Sequence, residues 1–118
     1  MASNVKLLLV DDNPMVLGML RQALTSLGQV TTAADAADAL LKAVDDPPDL
    51  LVVDYRMPDL DGGTVARKLK EKNPSVPIVM FTGVDDIAPD ALTAVNSLVK
   101  KGESPTALSD EVQRLLAF

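Results

Sequence analysis

Two four-residue runs, Leu50-Leu51-Val52-Val53 and Ile78-Val79-Met80-Phe81, are apolar at every position and flanked by turn-forming residues. A half-exposed strand alternates apolar with polar, so a strand apolar throughout must be covered on both faces, as the inner strands of a parallel sheet are. Parallel neighbours need crossover connections, and these are usually right-handed helices. The rest of the chain supplies them. Val5 to Val10, Val30 to Ala33 and, more weakly, Leu98-Val99 are further β-prone stretches, and all five alternate with segments of helical pattern. The expected fold is α/β, a flavodoxin-like doubly wound (βα)5 with one parallel five-stranded sheet in the order 2-1-3-4-5. Five units favour that order over the six-strand dinucleotide-binding type.

The helices carry start and stop signals. Asn13-Pro14 is a cap followed by proline at the first helical position, and Gly28 closes that helix after Met15, Leu20, Leu24 and Leu27. Asp35 caps the second, with Leu40, Leu41 and Val44 as its inward stripe before Pro47-Pro48. The third runs from about Thr64 to Lys72 with Val65 and Leu69 inward, and the fourth is short, from Asp86–Pro89 to about Ala94. Ser104-Pro105 repeats the cap-then-proline signal before Leu108, Val112, Leu115 and Leu116. No repeat or linker interrupts residues 1–118, so a single domain is expected there.

Composition removes whole classes of chemistry. The chain has no Cys and no His, which excludes disulfide scaffolds, thiolate or imidazole metal sites, cysteine nucleophiles and the usual serine triads. The net charge is −6, and the one basic cluster, Arg67, Lys68, Lys70 and Lys72, has the spacing of a solvated helix face, so no direct nucleic-acid binding is expected. No apolar run approaches the ~18 residues of a membrane span. No charged-then-apolar leader precedes the first strand. No membrane partner and a cytoplasmic location are the expectation.

The chemistry that remains lies in carboxylates. In an open α/β sheet ligands bind beyond the carboxyl ends of the strands at the topological switch point, here between the first and third strands. Those strands end in Asp11-Asp12 and in Asp54. Each acid alone has a local explanation, as a helix cap or a turn residue. Three at one edge repel one another, and a hard divalent cation relieves that repulsion; oxygen ligands with room left for water suit Mg²⁺. Thr82 ends the fourth strand and Lys100-Lys101 the fifth, so the same edge adds a hydroxyl and an ammonium. A carboxylate nucleophile among such groups suits acceptance of a phosphoryl group.

The pieces LLLVDDNP, LVVDYRMPDLDG, VMFTG and KKGESP, in that order, resemble the response-regulator receiver domain of bacterial two-component signalling over essentially the whole chain. The resemblance implies that Asp54 is the phosphorylated aspartate and that Asp12 binds Mg²⁺ directly, with Asp11 helping through water. It implies the main-chain carbonyl of Arg56 as a further metal ligand, Thr82 as a partner of the phosphoryl oxygen and a lysine as its ion pair. That lysine commonly lies three residues before the last helix cap; counting back from Ser104 selects Lys101, with Lys100 as the alternative. The implied donor is a sensor histidine kinase or phosphotransfer protein, and the implied role is a signalling switch rather than an enzyme, with autodephosphorylation expected. An effector domain is not expected within these residues.

Two departures bear on the switch. The segment between Gly83 and the fifth strand, with its fourth helix, is shorter than the family's, and Leu98 stands where the family has an aromatic; apart from these, Gly102 stands where proline commonly follows the lysine. A receiver-like scaffold that binds partners without phosphorylation is the alternative that the atypical fourth helix sustains. An aspartate-nucleophile Mg²⁺ phosphatase fits less well, since it wants an acid two residues after the nucleophile, where Arg56 stands.

Overall fold

The computed structural model describes residues 5–104 and 106–117. It contains one parallel sheet of five strands, β1 (Lys6–Val10), β2 (Gln29–Ala33), β3 (Leu50–Val53), β4 (Ile78–Thr82) and β5 (Ser97–Lys100), in the order β2-β1-β3-β4-β5. Four α-helices, α1 (Pro14–Leu24), α2 (Ala36–Asp45), α3 (Gly62–Lys72) and α4 (Ala107–Leu116), cover it. The expected flavodoxin-like order is therefore the observed one.

Alternation within the strands divides the core into two layers. Leu8, Val10, Leu51, Val53 and Ile78 face α2 and α3, while Leu7, Leu9, Leu50, Val52, Val79 and Val99 face α1 and α4. All four residues of β3 are buried, as an inner strand requires. The register pairs Val10 with Val53, so Asp11 and Asp54 leave the sheet side by side.

Four local expectations change. On α2 the buried residues are Ala36, Ala39 and Ala43, whereas Leu41 and Val44 are exposed and Leu40 is half-buried. Asp35 caps the helix through Asp38 N–H, as expected, but the alanines face the sheet; Leu41 stands about 200° around the helix from Ala39. Met15 of α1 is exposed where an inward position was expected. The fourth helix is a single 3-10 turn, Pro89–Leu92, because Pro89 follows a run of loop-forming residues and too few remain before β5 for a longer helix. The last helix is entered through Thr106, which makes no side-chain cap; Ser104 Oγ accepts the Thr106 N–H at 3.3 Å, and the expected Pro105 signal lies outside the described residues.

The remaining elements start where their caps direct. Asn13 Oδ1 accepts Met15 N–H for α1, and Asp61 Oδ1 accepts Thr64 N–H, so α3 begins at Gly62, ahead of Thr64. Gly102 has φ 95°, a conformation open to glycine and closed to proline, and it makes the turn after Lys101.

Candidate functional site

Strand β1 delivers Asp11 and Asp12 to the carboxyl edge, and β3 delivers Asp54. Backbone bonds carry the ladder past the strand ends: Asp11 N–H donates to Ala33 O at 3.2 Å and Asp54 N–H to Val10 O at 3.0 Å. The two acids are thus held by the sheet itself. Carboxylate oxygens of Asp11, Asp12 and Asp54 all lie within 4.8 Å of one another; Asp11 and Asp54 are buried and Asp12 faces solvent. A hard oxygen-only set that is open on one side fits Mg²⁺, which keeps several waters.

Lys101 is brought to these acids and Lys100 is not. Lys101 Nζ donates to Asp11 Oδ2 at 2.8 Å and to Asp54 Oδ2 at 3.1 Å, and it sits 5.8 Å from the centre of the Phe81 ring. Lys100 Nζ points into the loop that follows β4, 2.8 Å from Asp85 Oδ1. The strand ends at Lys100, so Lys101 reaches the acids from the turn, with its own N–H on Thr82 O at 2.9 Å.

Electrostatics distinguish the partners. Burial pushes the Asp11 carboxyl above the usual carboxylate range, and the Asp54 charge adds to this; hydrogen bonds from Lys101 and from Asn13 N–H, the latter 2.9 Å, offset only part. Burial pulls the Lys101 ammonium down, but bonds to Asp11 and Asp54 outweigh it and its pKa is raised. One ammonium thus gains from two acids, while a buried acid shares one ammonium with a rival. Additional positive charge is what this edge lacks.

A cavity of about 490 Å³ opens over the acids between Asp12, Asp54, Tyr55, Arg56, Met57, Pro58 and Asp61. A larger hollow of about 560 Å³, which includes Val5, Pro77 and Leu115, contains a single carboxylate, Asp49, already engaged by the Lys6 N–H at 2.8 Å. The acid-lined cavity is the chemical one. Thr82 is fully buried at the end of β4, and its Oγ1 accepts Val84 N–H at 3.3 Å rather than bonding Asp54.

Three residues outside the expected set hold this edge together. Gly62 packs so closely on the Asp54 backbone that a Cβ there would lie 2.0 Å from Asp54 O, and its N–H bonds Tyr55 O at 2.8 Å. Asp59 accepts the N–H groups of Ala36 and Ala37, each at 3.1 Å, and so ties the loop carrying Arg56 to the start of α2; those bonds hold its carboxyl below the usual range. Phe81 underlies Lys101. The Asp-Leu-Asp-Gly run signals a turn, but not which backbone its glycine meets.

The family described as "Response regulator receiver domain" matches residues 7–113. The chain is similar to the alkaline phosphatase synthesis transcriptional regulatory protein PhoP of Bacillus subtilis, 39% identical over 84 residues that cover 70% of this chain and 35% of that protein. It is similar to the probable transcriptional regulator ycf27 of Cyanophora paradoxa, 36% identical over 116 residues, covering 94% of this chain and 48% of that protein. The chain therefore spans about a third to a half of the length of these curated relatives. Among solved structures it is similar to the response regulator TrrA of Thermotoga maritima in complex with Mg(2+)-BeF, at TM-score 0.89 and 27% identity, covering 96% of this chain and 100% of that one. Receiver domains are phosphoacceptor signalling switches that bind Mg²⁺ at an acidic pocket and interact with histidine kinases or phosphotransfer proteins. With the sheet order, the acid edge and the matched sequence all in agreement, the chain belongs to the response regulator receiver domain family.

Proposed function

We propose that Asp54 is the phosphoacceptor of this receiver domain and that Asp11, Asp12, Thr82 and Lys101 complete its site. The observation that carries the reading is the meeting of three carboxylates within 4.8 Å with one ammonium bonded to two of them. In this reading an Asp54 carboxylate oxygen attacks the phosphorus of a phosphohistidine on a partner kinase or phosphotransfer protein. The new O–P bond forms as the N–P bond breaks, and the departing imidazole takes up a proton. Asp11, Asp12, Asp54 and the carbonyl of Arg56 are the groups that would hold Mg²⁺. When bound, the ion supplies positive charge to the phosphoryl oxygens.

This chain's own residues do the rest. Lys101, already on Asp54, exchanges part of its pairing for a phosphoryl oxygen, and the Thr82 hydroxyl donates to another. Burial of Asp54 at the end of a rigid strand limits the directions of approach. A cytoplasmic location and a sensor histidine kinase or phosphotransfer protein as donor belong to the same reading. No helix among the described residues is long and apolar enough to cross a membrane.

Beryllofluoride, a phosphoryl mimic, is expected to bind only with Mg²⁺ present, and Asp54→Ala is expected to abolish binding. Tyr55, the chain's single tyrosine, neighbours Asp54, so its fluorescence reads the titration. Binding without Mg²⁺, or binding retained in Asp54→Ala, would sink the assignment.

A further inference from the structure

The two adjacent lysines at the end of β5 do different things. Lys101 serves the acids, while Lys100 Nζ donates to the Val84 carbonyl and pairs with Asp85 Oδ1 at 2.8 Å. Both of its partners belong to the loop that follows Thr82. The backbone of Lys100 is itself fixed, since its N–H donates to Glu103 Oε2 at 3.2 Å. Val84, whose carbonyl Lys100 holds, donates its N–H to Thr82 Oγ1 at 3.3 Å. A chain of contacts therefore runs from Lys100 through Val84 to the hydroxyl of Thr82.

That hydroxyl is turned to the loop and makes no hydrogen bond to Asp54 among the described residues. Its O–H can donate while its oxygen accepts the Val84 N–H, but carrying the hydroxyl toward a phosphoryl group on Asp54 pulls on that contact, and the loop has to move with it. We propose that Lys100 is a positioning residue for Thr82, a latch that holds the Val84–Asp85 segment against β5 and so opposes the phosphoryl-bound arrangement. The inference rests on the assignment of Thr82 to the phosphoryl group made above.

The strength of the latch comes from the backbone contact more than from the ion pair. Asp85 is almost fully exposed, and exposed pairs contribute little. A hydrogen bond from an ammonium to a main-chain carbonyl is stronger, and the Lys100 side chain is only 29% exposed. The bond to Lys100 also holds the Asp85 carboxyl below its ordinary range.

The test is a beryllofluoride titration with saturating Mg²⁺ on the full chain and on Lys100→Met, with hydrogen exchange at the Val84 amide, which is bonded to Thr82 Oγ1, measured before the mimic is added. Removing the latch is expected to tighten binding by about three- to tenfold and to speed exchange at that amide. Loss of a positive charge alone would weaken binding of an anion, so tighter binding reports the latch. Unchanged or weaker binding, or unchanged exchange, would overturn it. Lys100→Leu, which likewise carries no donor for the Val84 carbonyl, replaces the methionine variant if that one does not fold.

Thr82→Ala separates the two readings. It is expected to weaken binding about tenfold, as loss of a buried hydroxyl partner does. If Thr82→Ala leaves binding unchanged, the Thr82 assignment fails whatever Lys100→Met shows. If it weakens binding while Lys100→Met does not tighten it, only the latch is refuted.

Discussion

The half of the sheet that carries the acids is built differently from the half that carries Thr82 and the lysines. Strands β1 and β3 are buried along nearly their whole length, lie between helices on both faces, and end in acids whose backbones continue the hydrogen-bond ladder. Strand β5 is an edge strand with α4 on one face, and the single 3-10 turn that stands in place of a fourth helix packs on α3. Leu98, on the other face of β5, is 40% exposed. The difference separates two tasks. A nucleophile must be held still beside a cation site, and close packing on both faces does that. A switch must have somewhere to move, and a thinly covered edge with a loop held by one lysine provides it.

The sharpest way to break this contrast is to remove the same side chain from each half. Leu51→Ala, in β3 and fully buried, is expected to cost about 2–5 kcal/mol in urea unfolding. Leu98→Ala is expected to cost less than about 1 kcal/mol. Equal losses would show that β5 is as firmly held as β3 and that the contrast is wrong.

Gly62→Ala probes the acid half at Asp54 itself. A methyl group 2.0 Å from the Asp54 carbonyl forces backbone to move, so a loss of about 2–3 kcal/mol is expected together with weaker Mg²⁺-dependent beryllofluoride binding. Native stability with native binding would mean that the close approach does not fix Asp54.

The smallest effect tests how α4 is fastened to the edge strand. Glu111 accepts from Arg114 at 2.8 and 2.7 Å and from the Ser97 hydroxyl of β5, and the Arg114 bond, followed by the Ser97 bond, lowers its pKa from 4.5 to about 2. A depressed carboxyl contributes stability above its unfolded pKa, and that contribution drains away as pH falls from about 4.5 to about 2. Arg114 is largely exposed, so the contribution is held to about 1 kcal/mol or less. Glu111→Gln should flatten that portion of the stability curve between pH 5 and 2. An unchanged acid slope would mean that other carboxyls account for it.

Legibility in the sequence follows the same division. The fully apolar runs at 50–53 and 78–81 belong to covered strands, and the order of the five units places Asp11, Asp12 and Asp54 at one edge. The choice between Lys100 and Lys101 is not in the local pattern; the family's spacing from Ser104 points to Lys101, which is the lysine found on the acids, although Ser104 itself lies before the helix entry. Hydrophobicity alone does not give the inward face of α2, because its large apolar residues are not the ones that face the sheet. Alanines do so instead, since a helix lying close to the sheet has room only for small side chains, which leaves Leu41 and Val44 outside.

The sequence by itself determined what local pattern can encode: strand and helix periods, the caps at Asn13 and Asp35, the absence of thiol and imidazole chemistry, and the acids placed at strand ends. Tertiary structure decided what depends on groups distant in the chain. It set which of two neighbouring lysines meets Asp11 ninety positions away, which backbone Gly62 must approach, that Asp59 holds the start of α2, and that Lys100 grips the loop after Thr82. Periodicity fixes the side of an element on which a residue lies. Where a long side chain ends depends on what the neighbouring strand and loop leave open, and that is settled only when the sheet has formed.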